Sequence, residues 1–222
     1  MALFEDRRDA GRRLAVELQE YRGTDGLVLA LPRGGVAVGY EVAISLELPL
    51  DVFLSRKIGA PGNPELAIGA VAEVDGIWVD REAVELLGVP EDYLREEAER
   101  QRREIERRIQ IYREGRPLPP MAGKKVLVVD DGVATGYTML AALRGIRTTQ
   151  PGELVAAVPV AARETLWRIS KEADRVVCLA TPEPFYAVGL HYVGFEQLSD
   201  QDVVDFLRLA RQRVHAGRTE GH

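Results

Sequence analysis

The residues best placed to do chemistry lie in Lys125–Leu140, KVLVVDDGVATGYTML. An apolar run, Val126–Val129, ends in two adjacent carboxylates, Asp130 and Asp131. Small residues follow, Gly132-Val133-Ala134-Thr135-Gly136, then Tyr137, Thr138 and the apolar start of a helix. This order sets two acids at the carboxyl end of a buried strand and free backbone N–H groups a few residues later. Vicinal sugar hydroxyls need acceptors, which the acids supply. A phosphate needs donors at a helix N-terminus, which the loop supplies. The spacing suits a ribose 5-phosphate.

The elements around this stretch follow from periodicity. Residues 5–20 carry apolar or small side chains at helical spacing. Leu27–Leu31 reads as a strand that stops at Pro32-Arg33-Gly34-Gly35, and Val36–Leu46 as a helix. Asp51–Leu54 is a second strand, followed by the cations Arg56 and Lys57 and a Pro/Gly/Asn-rich loop at 60–65. Ala67–Val74 and Ile77–Val79 flank Asp75-Gly76, a hairpin signal. Residues 91–114 form a charged helix whose apolar stripe is Leu94, Ala98, Ile105, Ile109 and Tyr112, with i,i+4 pairs at Glu96/Arg100, Glu99/Arg103 and Glu104/Arg108. Beyond the Val126–Val129 strand come a helix (136–147), a strand (154–160), a helix (163–171), a strand (175–180) and a last helix, Ser199–Val214.

Alternating strands and helices imply an α/β fold, a mostly parallel central sheet with helices on both faces. Ligands of such sheets bind beyond the carboxyl ends of the strands. The loops at 32–35, 56–59, 130–138 and 181–195 all follow strands, so they are expected on one rim. One domain is expected over residues 1–215, with a helical insertion at 80–122 and a disordered tail at 216–222.

Composition narrows the function further. The chain has 222 residues, is 46% hydrophobic and carries a formal net charge of −6. That charge argues against nonspecific nucleic-acid binding. The lone Cys178 excludes an internal disulfide and fits a reducing, cytoplasmic setting. No apolar run approaches membrane-spanning length. No Gly-x-Gly-x-x-Gly follows a strand, and Gly-x4-Gly-Lys-Ser/Thr, Gly-x-Ser-x-Gly and zinc-ligand spacings are all missing. A Mg²⁺ phosphatase built on Asp130-Asp131 needs a second acid near the first strand, which instead ends in Leu-Pro-Arg-Gly-Gly.

DDGVATGYT resembles the signature of type I phosphoribosyltransferases that binds phosphoribosyl diphosphate (PRPP): two acids, two variable positions, then Ala-Thr-Gly-x-Thr. The resemblance covers roughly residues 20–195. It implies the family fold, with a small hood over the site, here residues 181–196. It implies Mg²⁺-dependent transfer of ribose 5-phosphate from PRPP to a small nitrogen heterocycle, with no nucleic-acid or membrane partner and a homodimeric assembly. Asp130 and Asp131 would hold the ribose hydroxyls and the metal, directly or through water. Gly132, Val133, Ala134, Thr135, Gly136, Tyr137 and Thr138 would anchor the 5-phosphate. Arg33, Gly34 and Gly35 resemble the diphosphate loop, with a cis peptide expected near Arg33-Gly34. Lys57, with Arg56 beside it, matches the cation near the diphosphate; Arg33, Lys57 and Asp131 are the expected catalytic group. The loop at 60–65, with Asn63 and Glu65, and the hairpin at 67–79 are candidates for a closing element. Phe185 and Tyr186 are candidates to stack on the base. Some purine-specific relatives carry an acid where this chain has Ala134, which resembles the adenine- and orotate-type pattern instead. The alternative on the same fold is a non-catalytic regulator that senses PRPP or a nucleotide.

Overall fold

A computed structural model describes residues 2–219. Five parallel strands form the main sheet in the order β2-β1-β6-β7-β8: β1 (Gly26–Ala30), β2 (Leu50–Val52), β6 (Lys125–Val129), β7 (Glu153–Val160) and β8 (Arg175–Ala180). Every residue of β1 is buried, as an unbroken apolar strand covered on both faces must be. Helices α1 (Arg7–Glu17), α2 (Gly35–Leu46) and α7 (Asp200–Thr219) belong to one side. Their apolar positions Leu14, Val38, Val42, Val203 and Leu207 share a core with Val28 and Leu127. Helix α5 (Tyr137–Arg147) covers the other side, where Met139 and Leu143 pack with Leu27, Val126 and Val128. Helix α6 (Arg163–Ile169) joins β7 to β8.

The strand order has one reversal. The chain steps from β1 outward to β2, then returns to lay β6 on the other side of β1. The loops after β1 and β6 therefore diverge to opposite faces and leave a crevice between them. That crevice is where the two motifs meet.

Between β2 and β6 lies a second, antiparallel sheet: β3 (Ser55–Ala60), β4 (Asn63–Ala72) and β5 (Ile77–Val79). It corrects two expectations. Arg56 and Lys57 sit inside a strand rather than in a loop, and Ala60–Asn63 is the tight turn of a hairpin, so β4 already begins at Asn63. Helices α3 (Arg81–Leu86) and α4 (Glu91–Arg113) follow. The expected stripe of α4 holds, with Ala98, Ile105 and Tyr112 buried. Of its expected ion pairs only Glu104–Arg108 forms, at 2.9 Å; Arg100 turns to Glu97 and Arg102 to Glu99, three residues back. The far end of α4 is pinned by Arg113, which bonds Glu73 at 2.7 Å, Asp51 at 3.1 Å and the Val52 carbonyl at 2.5 Å. Arg113 and Glu73 each keep only 3% of their side-chain surface exposed. A buried charge of this kind persists only where every partner is supplied. Helix α7 runs on to Thr219, past the expected end at 214 and through part of the expected tail; residues 220–222 lie outside the described ones. Among the described residues no helix is long and apolar enough to cross a membrane.

Candidate active site

The loops after β1 and β6 interlock. Leu31 N–H donates to the Val129 carbonyl at 2.8 Å, extending the strand pairing to the rim. Gly34 and Gly35 then press against the two acids. A Cβ on Gly34 would lie 1.9 Å from Asp131 Oδ2, and one on Gly35 would lie 2.9 Å from Asp130 Cα. Only glycine permits this approach. The cis peptide falls at Pro32-Arg33, one residue before the expected position.

Each acid is partly committed. Asp130 Oδ1 accepts the Asp131 N–H at 2.8 Å. Asp131 Oδ2 accepts Arg7 Nε at 2.7 Å, in a pair with 11% and 14% side-chain exposure. The Tyr192 hydroxyl donates to the Asp131 backbone carbonyl. Burial first, then the neighbouring Asp131 charge, pushes the Asp130 carboxyl well above the usual carboxylate range. Burial also raises Asp131, against the pull of Arg7. Two adjacent desolvated carboxylates resist ionising together. Among the described residues no cluster of three or more His, Cys, Asp or Glu could cage a metal. Two carboxylates alone still fit Mg²⁺, which takes one or two protein acids and completes its shell with substrate phosphate and water.

The 132–138 loop divides its labour. Gly132 packs against Val160 and Val188, and Val133 is buried, its N–H on the Val160 carbonyl at 2.9 Å. The Tyr137 side chain turns away, stacks on Trp78 with centroids 4.5 Å apart, and donates to Asp80 at 2.7 Å. The Val133 and Tyr137 side chains, and the close packing at Gly132, thus serve the frame of the loop. Ala134 and Thr135 are exposed, and Gly136 has the left-handed φ of 80° that turns the chain into α5. Helix α5 has no side-chain cap. Its first N–H groups thus keep no side-chain acceptor at the positive end of the dipole, as a phosphate site requires. Thr165 steadies the loop from α6, its Oγ1 on the Ala134 carbonyl at 2.5 Å.

The cations are held more loosely. Arg33, at the β1 loop, faces Asp200 at 3.8 Å, and Asp200 accepts the Tyr112 hydroxyl at 2.5 Å. Arg56 and Lys57 point to opposite faces of β3. Arg56 joins α4, its Nε on Gln101 at 2.5 Å and its Nη1 4.0 Å from Glu104. Lys57 pairs across the sheet with Ala70, whose face packs on α5; it is exposed and has no ion-pair partner among the described residues. The structure therefore does not keep the two cations together.

The 181–196 segment contributes differently from expectation. Tyr186 is 78% exposed. Phe185 packs on His191, with ring centroids 5.2 Å apart, so its face is already partnered. It is Tyr192 and Phe195 that reach the acids, Phe195 by lying 3.8 Å beneath the Arg7 guanidinium. Arg7 and Tyr192 were not foreseen. Both depend on contacts made far along the chain, 124 residues for Arg7 and 61 for Tyr192, and neither has a local motif.

Comparison with known proteins supplies the family. The model of the phosphoribosyl transferase domain matches residues 4–192. The Mycobacterium tuberculosis protein Rv0571c, and MT0597 from strain CDC 1551, both provisionally named phosphoribosyl transferases, are 45% identical over 220 residues, 98% of this chain and 49% of theirs. The chain spans about half the length of these curated relatives. Among solved structures, TT1426 from Thermus thermophilus superposes with a TM-score of 0.78 at 45% identity, covering 93% of this chain and 98% of that one. AQ2163 from Aquifex aeolicus, at 15% identity and a TM-score of 0.51 over 90% of this chain and 84% of that one, shares the fold alone.

Proposed function

The chain belongs to the phosphoribosyl transferase domain family, and from that premise we propose that it transfers ribose 5-phosphate from PRPP to a nitrogen nucleophile, a nucleobase-like heterocycle, and releases pyrophosphate. The observation that carries this reading is the interlock of Gly34-Gly35 with Asp130-Asp131 at the point where the strand order reverses. It sets sugar acceptors, a phosphate-binding helix start and a glycine-rich backbone around one crevice.

In the reaction the C1–O bond of PRPP breaks, and its electron pair leaves with the diphosphate. The acceptor nitrogen donates its lone pair to C1, and the proton it sheds passes to solvent. Ala134 offers no carboxylate to take that proton, so the acceptor must reach C1 without a base at this position. The N–H groups of 134–138 hold the unreacting 5-phosphate and so fix C1 in the crevice. Asp130 and Asp131 accept the ribose hydroxyls. Arg33, the Gly34-Gly35 backbone and Lys57 stabilise the negative charge that grows on the diphosphate. Bound Mg²⁺, held by Asp130 and Asp131 directly or through water, would supply further neutralisation of that charge.

The test is pyrophosphate release from PRPP and Mg²⁺ over a panel of purines, pyrimidines and other nitrogen heterocycles. The expected result is release that depends on one acceptor and collapses in Asp130→Asn/Asp131→Asn. PRPP binding by folded protein without release for any acceptor would instead favour a PRPP or nucleotide sensor.

A further inference from the structure

Arg7 lies at the start of α1, outside every segment that the sugar and phosphate motifs mark, yet its guanidinium touches the sugar-binding acid. Three contacts fix it. Its Nε donates to Asp131 Oδ2 at 2.7 Å, its Nη1 donates to the Glu196 carbonyl at 2.7 Å, and its face rests on the Phe195 ring at 3.8 Å. The segments that carry these groups are themselves joined. Phe4 forms a bridge with Tyr192, Val193 N–H donates to the Phe4 carbonyl at 2.9 Å, and Gly194 N–H to the Glu5 carbonyl at 2.8 Å.

The consequence is a choice of oxygens. Asp131 Oδ2 is taken by Arg7 and Asp130 Oδ1 by the Asp131 N–H. The other two carboxylate oxygens, Asp131 Oδ1 and Asp130 Oδ2, accept no N–H or hydroxyl of another described residue, and the two carboxyls lie within hydrogen-bond reach of each other. Two adjacent acids thus keep one oxygen each that no other side chain holds, and a ribose presents two adjacent hydroxyls. A carboxylate turns easily about its Cβ–Cγ bond. Arg7 stops that rotation at Asp131, while Tyr192 holds the main chain from which the acid springs.

We propose that Arg7 is a positioning residue for the sugar: by ion-pairing one oxygen of Asp131 it aims the other at a ribose hydroxyl, so that the N-terminal segment forms part of the recognition of the vicinal diol. The proposal rests on the transferase reading of the site. It differs from a purely structural role for Arg7, because the guanidinium would act on hydroxyl selectivity and would act only through Asp131.

Titration calorimetry separates the possibilities. Ribose 5-phosphate, 2-deoxyribose 5-phosphate and inorganic phosphate are each bound to the wild-type full chain, Arg7→Met, Arg7→Lys, Asp131→Asn and the Arg7→Met/Asp131→Asn double variant. Wild type is expected to favour the ribose over the deoxyribose compound by about tenfold or more, the worth of one hydrogen bond to a charged acceptor. Arg7→Met should shrink that preference to about twofold, and should cost nothing further in the Asp131→Asn background, the non-additivity expected of residues acting as a unit. Inorganic phosphate binding should stay unchanged. Arg7→Lys, which keeps the charge but loses the planar stack on Phe195, should fall between and serves if the methionine variant does not fold. The full wild-type preference kept in Arg7→Met or in Arg7→Lys, or effects that add in the double variant, overturns the proposal and leaves the transferase reading standing. Absence of any preference in wild type overturns the sugar site and this proposal together.

Discussion

At the proposed sugar end of the crevice, Asp131 meets Arg7, Tyr192 and the Gly34 backbone, three groups from separate stretches of chain. At the proposed diphosphate end, Arg33 stands 3.8 Å from Asp200 and Lys57 stands in solvent. The acids are braced by the protein itself, and the cations are not. The difference follows what each end must do. In the proposed reaction the sugar phosphate would stay bound throughout and would gain from groups already in place. The diphosphate would depart, and long flexible side chains could gather around it and release it. Structurally, the braced end belongs to the main parallel sheet, and the loose end is shared between the β1 loop, with Arg33, and the smaller antiparallel sheet, with Lys57.

The most damaging way to break this contrast is to force the two loops apart. In Gly34→Ala the new methyl would occupy the place of Asp131 Oδ2, so the acid must swing away. A displacement of about 1 Å costs on the order of a hundredfold in kcat/KM. Pyrophosphate-release kinetics should show that loss in a protein that still unfolds cooperatively. Full activity in Gly34→Ala would mean that the bracing of Asp131 is dispensable, and the contrast would fail.

A smaller effect sharpens the loose end. Lys57→Met should raise the KM for PRPP by about tenfold, the worth of one charge-assisted contact, and leave the thermal midpoint unchanged, because Lys57 has no ion pair to lose among the described residues. Arg56→Met should do the reverse. It should lower the midpoint by releasing Gln101 and Glu104 on α4, with little change in KM. Steady-state kinetics beside thermal scans of both variants read out the split. An exchange of the two outcomes would hand the diphosphate role to Arg56.

What the sequence disclosed divides along the same line. The parallel sheet, its order of elements and the position of both glycine-rich loops were legible because each rests on a local pattern: an apolar run, a turn, a helix start. The strand, loop and helix start of Val126–Thr138 were legible for the same reason. The bracing was not. Arg7 reads as one more charged position on an amphipathic helix, and only the docking of residues 3–5 on 191–194 carries it to Asp131. Tyr137 lies inside the motif, yet its side chain serves the small sheet rather than the crevice. In sequence Arg56 and Lys57 resemble a loop pair, because two cations after a short strand break the apolar pattern. The β3–β4 pairing that makes them a strand depends on partners across a hairpin, and alternation along that strand then separates them.

The gentlest test concerns the seam between the two sheets. Tyr137 opens α5, at the phosphate end of the crevice, and its hydroxyl reaches Asp80, which also caps α3 through the Ala83 N–H at 3.0 Å. Burial first, then the bond to Asp80, pushes the Tyr137 phenol up to about 12. An unfolded tyrosine titrates near 10. Between those values the folded chain keeps a proton that the unfolded chain has released, so this contribution is whole below pH ~10 and is lost as pH rises toward 12. Tyr137→Phe should cost about 1 kcal/mol at neutral pH, and should make the decline of stability above pH ~10 shallower by roughly 1.4 kcal/mol per pH unit, one proton's worth. Urea unfolding at pH 7 and across pH 9–11.5 measures both. Tyr112, pushed by burial and by Asp200 up to about 12, supplies a residual slope that should survive the substitution. An unaltered slope would mean that α5 takes its place from its own backbone and from Thr165 on the Ala134 carbonyl. The phosphate loop would then be braced from the main sheet alone, and the small sheet would be free to move as the diphosphate leaves.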